Sequence, residues 1–251
     1  MGVADRRGGR IVKRVLAVVV ALLAVAGVAF GVYVSDYSRA GSVAQEVISA
    51  GAAADAAVRV DETDALIAVG DASAEYGIVF YPGGKVAPEA YVPLAAKLAQ
   101  RGVFCVIAKM PFNLAVFNIN AADSVIDAYP NVAHWWVGGH SLGGAMAASY
   151  AADNASKVEG VALLAAYSSD DLTALGLKAE VVYGSNDGVV NREKLENCIA
   201  RLPADSVLEI AGGNHAGFGD YGAQSGDNDA TISADGQQEQ AADAVTAAMM
   251  G

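Results

Sequence analysis

Apolar positions along the chain fall into three regimes. From Val15 to Val34, twenty consecutive residues (VLAVVVALLAVAGVAFGVYV) carry no charge. At 1.5 Å per residue a helix of that length covers about 30 Å, the thickness of a bilayer core. From Ser35 to Ala57 the chain is rich in Ala, Ser and Gly, with Val43, Val47 and Ile48 at roughly helical spacing, and reads as a stalk or short helix. From Val58 onward, short β-branched runs alternate with helical patterns. The runs predict strands at Val58–Val60, Leu66–Val69, Ile78–Tyr81, Val103–Ala108, Trp135–Gly138, Val161–Ala165, Val181–Tyr183 and Val207–Ile210. Helical patterns cover Pro88–Gln100, Ala121–Tyr129, Leu142–Ala152, Arg192–Leu202 and Glu239–Met250. The first strands lie close enough for hairpins. The later ones alternate with helices, which predicts an α/β domain with a mostly parallel central sheet and helices on both faces. The chain thus divides into a leader (1–14), an apolar segment (15–34), a stalk (35–57) and one α/β domain (58–251).

Composition sharpens the first regime. Of the 251 residues 54% are hydrophobic, above the roughly 45–50% usual in soluble proteins, and the apolar segment supplies part of the excess. So apolar a chain is not a disordered one. Arg6, Arg7, Arg10, Lys13 and Arg14 precede the segment and only Arg39 closely follows it. By the positive-inside rule the leader is cytoplasmic, the segment a transmembrane anchor and the remainder extracytoplasmic. Ala24-Val25-Ala26 has the form of a signal-peptidase site, so cleavage and secretion is the alternative, but the run exceeds the roughly 7–15 residues of a signal h-region.

The net charge is −12; without the leader, 11 Lys+Arg face 27 Asp+Glu, near −16. That balance suits solubility outside a cell and excludes nucleic acid as the main partner. Two cysteines make neither a disulfide scaffold nor a zinc pattern. Cys105, in an apolar strand, reads as a buried free thiol, with a bridge to Cys198 as the alternative.

Ligands of parallel sheets sit beyond the carboxyl ends of the strands. After the Trp135 strand comes Gly139-His140-Ser141-Leu142-Gly143-Gly144 and then a helix, which is G-x-S-x-G in the strand–helix context of a nucleophile elbow. Small residues at Gly139 and Gly143 let the strained turn pack, and the helix N-terminus offers free N–H groups to an oxyanion. Of the three histidines, His140 lies inside the elbow and points away from the serine, and His134 precedes the strand. His215, in the glycine-rich loop after the last strand, is the candidate base. Asp187 follows the preceding strand and is the candidate acid, with Asp170 and Asp171 as runners-up. The order Ser141, Asp187, His215 is the one this topology uses. For the oxyanion hole, Leu142 supplies one N–H, and the loop Tyr81-Pro82-Gly83-Gly84-Lys85 supplies the other through Gly84 or Lys85.

On the Tyr81–Lys85 loop, the Gly139–Gly144 elbow, Asp187 and His215, the chain from about Val58 to its end resembles the α/β-hydrolase superfamily. Within it the chain is similar to the small, lidless bacterial hydrolases near the dienelactone hydrolases. Two residues differ from the usual pattern: the histidine–glycine pair of the oxyanion loop reads Pro82-Gly83, and the nucleophile is Ser141 where the best-known dienelactone hydrolases use cysteine. The resemblance implies the α/β-hydrolase fold and a serine esterase acting through an acyl-enzyme on small acyl esters, with no cofactor. Only about 15 residues separate the Val161 and Val181 strands, where many relatives insert a cap, so no large cap domain is expected. A thioesterase, peptidase or acyltransferase would use the same triad, and a non-catalytic envelope-associated binding module would use the same fold. Met110-Pro111-Phe112-Asn113-Leu114 is a candidate pocket wall. Asp220–Asp229 reads as a solvated loop lacking the regular spacing of calcium ligands, so no metal is assigned.

Overall fold

A computed structural model of the chain describes residues 4–53, 58–202 and 206–251. The first three leader residues and residues 54–57 of the expected stalk lie outside the described residues. Two compact units result, Met1–Tyr37 and Ser38–Gly251. The first is a single helix, α1 (Ala4–Ser35), which continues the apolar segment back through the basic leader. By length and composition its Lys13–Ser35 stretch is long and apolar enough to cross a membrane, and none of it is buried in protein.

The second unit begins at Ser38 rather than at Val58. Within the expected stalk, α2 (Ser42–Gly51) packs Ala44 into the domain, and Val47 and Ile48 lie against its core. Asp220 fixes this segment: its carbonyl accepts from Gly41 N–H at 2.7 Å and its carboxylate from Ala44 N–H at 2.8 Å. Ser38 pairs with Val86 as an isolated parallel bridge, donating its N–H to Lys85 O and accepting from Ala87 N–H, both at 2.8 Å.

Eight strands form one sheet: β1 (Val60–Glu62), β2 (Leu66–Val69), β3 (Tyr76–Tyr81), β4 (Val103–Ala108), β5 (His134–His140), β6 (Gly160–Leu164), β7 (Lys178–Gly184) and β8 (Val207–Ile210), in the order β1-β2-β4-β3-β5-β6-β7-β8. β1 and β2 make an antiparallel hairpin, β2 runs antiparallel to β4, and every later pairing is parallel. Helices α3 (Val92–Gln100), α4 (Ala121–Ala128), α5 (Leu142–Asp153), α6 (Arg192–Ile199) and α7 (Ala234–Met250) cover it.

Successive strand residues point to opposite faces, so a sheet covered twice needs apolar residues at both phases. Ile78, Phe80 and Trp136 pack into one core with α3 and α7, while Val79, Tyr81 and Trp135 pack into the other with α4, α5 and α6. Each fully buried large side chain contributes about 1.5–3 kcal/mol. Cys105 belongs to the first core and Cys198 to the second; both are free thiols. No large cap interrupts the β6–β7 connection.

Candidate active site

β5 ends at His140, and the next residue, Ser141, turns the chain into α5 with φ 52° and ψ −123°. Positive φ at a non-glycine residue is strained, and such strain gathers at functional turns. The turn survives because Gly139 and Gly143 lack side chains. A Cβ at Gly143 would overlap the carbonyl oxygens of Tyr81 and Pro82, and one at Gly139 would overlap Tyr81 O. Ser141 N–H donates to Leu164 O at 2.9 Å, tying the elbow to β6. Leu142 opens α5, so its N–H has no acceptor within the helix.

β7 and β8 are neighbours, with Gly184 opposite Ile210, so the loops leaving them emerge side by side. Asp187 sits in the first loop and His215 in the second. His215 Nδ1 and Asp187 Oδ2 are 2.8 Å apart, and both side chains are buried. Asp187 Oδ1 accepts N–H bonds from Val189 and Val190, each at 2.8 Å. Burial alone would raise the carboxyl's pKa, but the bonds from His215, Val190 and Val189 outweigh it and hold the group below its ordinary value. A carboxylate can only accept, so Nδ1 carries the ring proton and Nε2 presents its lone pair. That Nε2 is buried and has no hydrogen-bond partner among the described residues, Ser141 Oγ included. Catalytic hydrogen bonds of this kind often close only when substrate arrives.

The sequence pattern misses what steadies these loops. Asp227 lies in the stretch read as solvated, yet its carboxylate joins the two loops, accepting from Gly188 N–H at 3.0 Å and Ala216 N–H at 2.9 Å. Asn228 Nδ2 donates to Asn186 O, and its carbonyl accepts from Asn214 Nδ2. From α7, fully buried Gln237 accepts from Asn214 N–H at 3.0 Å and donates to Asn214 O at 2.7 Å. The Gln237-Gln238 pair, buried in an otherwise alanine-rich helix face, was the available signal.

The oxyanion loop requires a correction. Lys85 N–H is already engaged, donating to Asn113 O at 2.8 Å, so Lys85 is not the second donor. Gly83 N–H donates to Tyr91 Oη at 3.0 Å. Gly84 N–H alone of the three has no partner among the described residues. Gly84 also lies against Leu142, whose Cβ is 3.4 Å from where a Cβ on the glycine would stand. Met110–Leu114 supports this loop through Asn113 O and does not line the cavity beside the serine; Phe112 is half exposed.

That cavity has a volume of about 290 Å³ and is lined by Ser141, Leu142, Ala165, Tyr167, Val189 and Asn191 among others. A larger hollow of about 660 Å³ lies away from these residues, against Lys178, Glu180, Val207 and α7. Asp170 and Asp171 are exposed and, among the described residues, bond within their own turn, to Ser168, Thr173 and Ala174. His134 pairs with Glu159 and Glu75 at the opposite end of β5.

The structure thus carries a serine on a strained strand–helix turn and a buried Asp–His pair on two adjacent strand ends, all on a doubly covered sheet. The model of the alpha/beta hydrolase family matches residues 77–239, and the chain belongs to that family. Among solved structures it is similar to TT1662 from Thermus thermophilus, with 12% identity over 77% of this chain and 99% of that one and a TM-score of 0.55. Est1E from Butyrivibrio proteoclasticus shares 13% identity over 77% and 99%, with a TM-score of 0.53. A ferulic acid esterase from Streptomyces cinnamoneus shares 17% over 70% and 66%, with a TM-score of 0.54. At these identities the likeness is one of fold. A comparison with curated protein sequences finds no match.

Proposed function

We propose that the protein is a membrane-anchored serine hydrolase that cleaves small acyl esters, with its catalytic domain outside the cytoplasm. The observation that carries this reading is the pinned His215 ring, whose free Nε2 sits in the domain that also presents Ser141 on a strained elbow. In the proposed reaction Nε2 accepts the Ser141 proton as Oγ attacks the ester carbonyl. Asp187 then stabilises the imidazolium, and the N–H groups of Leu142 and Gly84 face the oxyanion, at about 3 kcal/mol for each donor. The imidazolium returns its proton to the departing alcohol, and water, activated by the same base, releases the acid. A cavity near 290 Å³ lies at the lower edge of the roughly 300–1,000 Å³ usual for ligand sites, which favours a short acyl group. Esterases among the structural neighbours agree with this chemistry.

Replacing Ser141 with Ala in the full chain should abolish hydrolysis of p-nitrophenyl acetate and butyrate. Undiminished turnover would overturn the assignment. The anchor is tested by alkaline carbonate extraction of membranes: the chain should stay in the pellet, and release of a shortened product would favour cleavage after Ala26.

A further inference from the structure

One buried titratable group takes no part in that reaction. His140, the middle residue of the elbow, is 1% exposed, and its Nδ1 lies 2.9 Å from Tyr91 Oη. Tyr91, at the entry to α3 and also 1% exposed, uses the same oxygen to accept the Gly83 N–H at 3.0 Å. The hydroxyl has one proton, and among the described residues only His140 Nδ1 is placed to take it. The tautomer follows: Nδ1 accepts and Nε2 carries the hydrogen. Burial first, and the neighbouring His215 second, push the His140 pKa well down, with the His215 carbonyl opposing weakly, so the ring is neutral. Its Nε2 finds no partner of hydrogen-bond geometry, and its ring centroid lies 4.5 Å from that of His215.

The groups facing His140 are few. Tyr91 lies on one side and His215 on another, with Phe218 and Tyr221 completing an aromatic wall. Behind His215 stands the carboxylate of Asp187, bonded to its ring. A chain of two hydrogen bonds therefore runs from the elbow to the loop that holds Gly84. Gly83 is fixed at its N–H by Tyr91, and the loop is fixed on its far side by the Lys85 bond to Asn113 O. Gly83 O also accepts from Val86 N–H at 3.2 Å, so the Gly83–Gly84 peptide, whose own N–H has no partner among the described residues, is held by that turn on its carbonyl side and follows the Tyr91 bond on its amino side.

We propose that His140 and Tyr91 are positioning residues that hold the Pro82–Gly83 peptide, and with it the turn closed by Val86 N–H on Gly83 O, so that the Gly84 N–H faces the oxyanion. The idea rests on the serine-hydrolase reading for its kinetic consequence but not for its structural one. Tyr91→Phe removes the acceptor for Gly83 N–H, and His140→Leu removes the acceptor that orients the tyrosine. His140→Asn keeps an acceptor oxygen close to the position of Nδ1.

The test uses the full chain in detergent and has two arms. By hydrogen exchange, amides of the Tyr81–Ala87 segment should exchange at least tenfold faster in Tyr91→Phe and His140→Leu than in the unsubstituted protein, with His140→Asn restoring most of the protection. Unchanged exchange in both variants overturns the proposal, whether or not the protein hydrolyses esters. By kinetics, kcat on p-nitrophenyl acetate should fall about tenfold with KM little changed, and inhibition by a trifluoromethyl ketone should weaken by the same factor. A loss confined to KM, or inhibition unaffected while kcat falls, overturns it. Failure of the serine-hydrolase reading would show differently, as an unsubstituted protein without ester turnover and with the exchange pattern intact. If His140→Leu fails to fold, Tyr91→Phe and His140→Asn still decide between the outcomes.

Discussion

β5 carries a histidine at each end, and the two inhabit opposite surroundings. His134, at the amino end, is partly exposed, and its hydrogen bond to Glu159 raises its pKa, helped by Glu75. His140, six residues along the same strand, is buried among aromatic rings and another imidazole, and its pKa is driven down. Residue type is constant across this pair; position along the strand is not. At the carboxyl end of a parallel sheet, loops, a helix N-terminus and buried polar groups converge. At the amino end the same side chain meets water and surface carboxylates.

The strongest way to sharpen the contrast is to disturb the carboxyl end. Asp187→Asn should lower kcat on p-nitrophenyl acetate by about 10⁴, because an amide favours the wrong imidazole tautomer. A loss below tenfold would remove Asp187 from the assignment. Gly143→Ala comes next: its methyl meets two backbone carbonyls that have no room to withdraw, which should destabilise the fold by about 3 kcal/mol. Thermal unfolding at an unchanged Tm would refute the packing argument.

Acid separates the two histidines more gently. Below pH of about 6.5 the unfolded chain binds a proton at residue 140 that the folded chain refuses. Stability should then fall by up to about 1.4 kcal/mol per pH unit until the buried ring itself titrates. Denaturant melts of His140→Asn should lack this slope. Asp187 works in a lower window, because its depressed pKa gives stability that is lost only as pH falls through that value. His134 has the opposite sign: its raised pKa gives stability that is present at low pH and fades as pH rises through the folded value. The smallest effect belongs here, since His134→Ala should leave both kcat and Tm near those of the unsubstituted protein. A large loss of activity would show that the two ends are coupled.

What the sequence makes legible follows from how local each cause is. Leu66–Val69, Val103–Ala108 and Val207–Ile210 are strands at the expected residues, because β-branched runs bounded by turn residues state their own limits. β5 runs further at both ends than its apolar core, since pairing with β3 and β6 imposes extended backbone on His134, Gly139 and His140 whatever their propensity. That Asp187 and His215 meet could be read from their order and their places after two successive strands. The choice between Gly84 and Lys85 could not, because it turns on Asn113 O, a carbonyl from another loop. Asp227 shows the same limit: a carboxylate that binds two loops has no periodicity to betray it.

The bonds from Asp220 to Gly41 and Ala44 join residues 176 positions apart in the latter case. The Ser38–Gly51 segment leaves the ribosome well before the Asp220 loop, so the earlier segment waits unpaired for the later one. Until Asp220 has been made, the amino end of α2 lacks the acceptor for its Ala44 N–H. That join can close only after the chain has passed His215, so the first helix of the domain is secured by the same stretch of chain that carries the base.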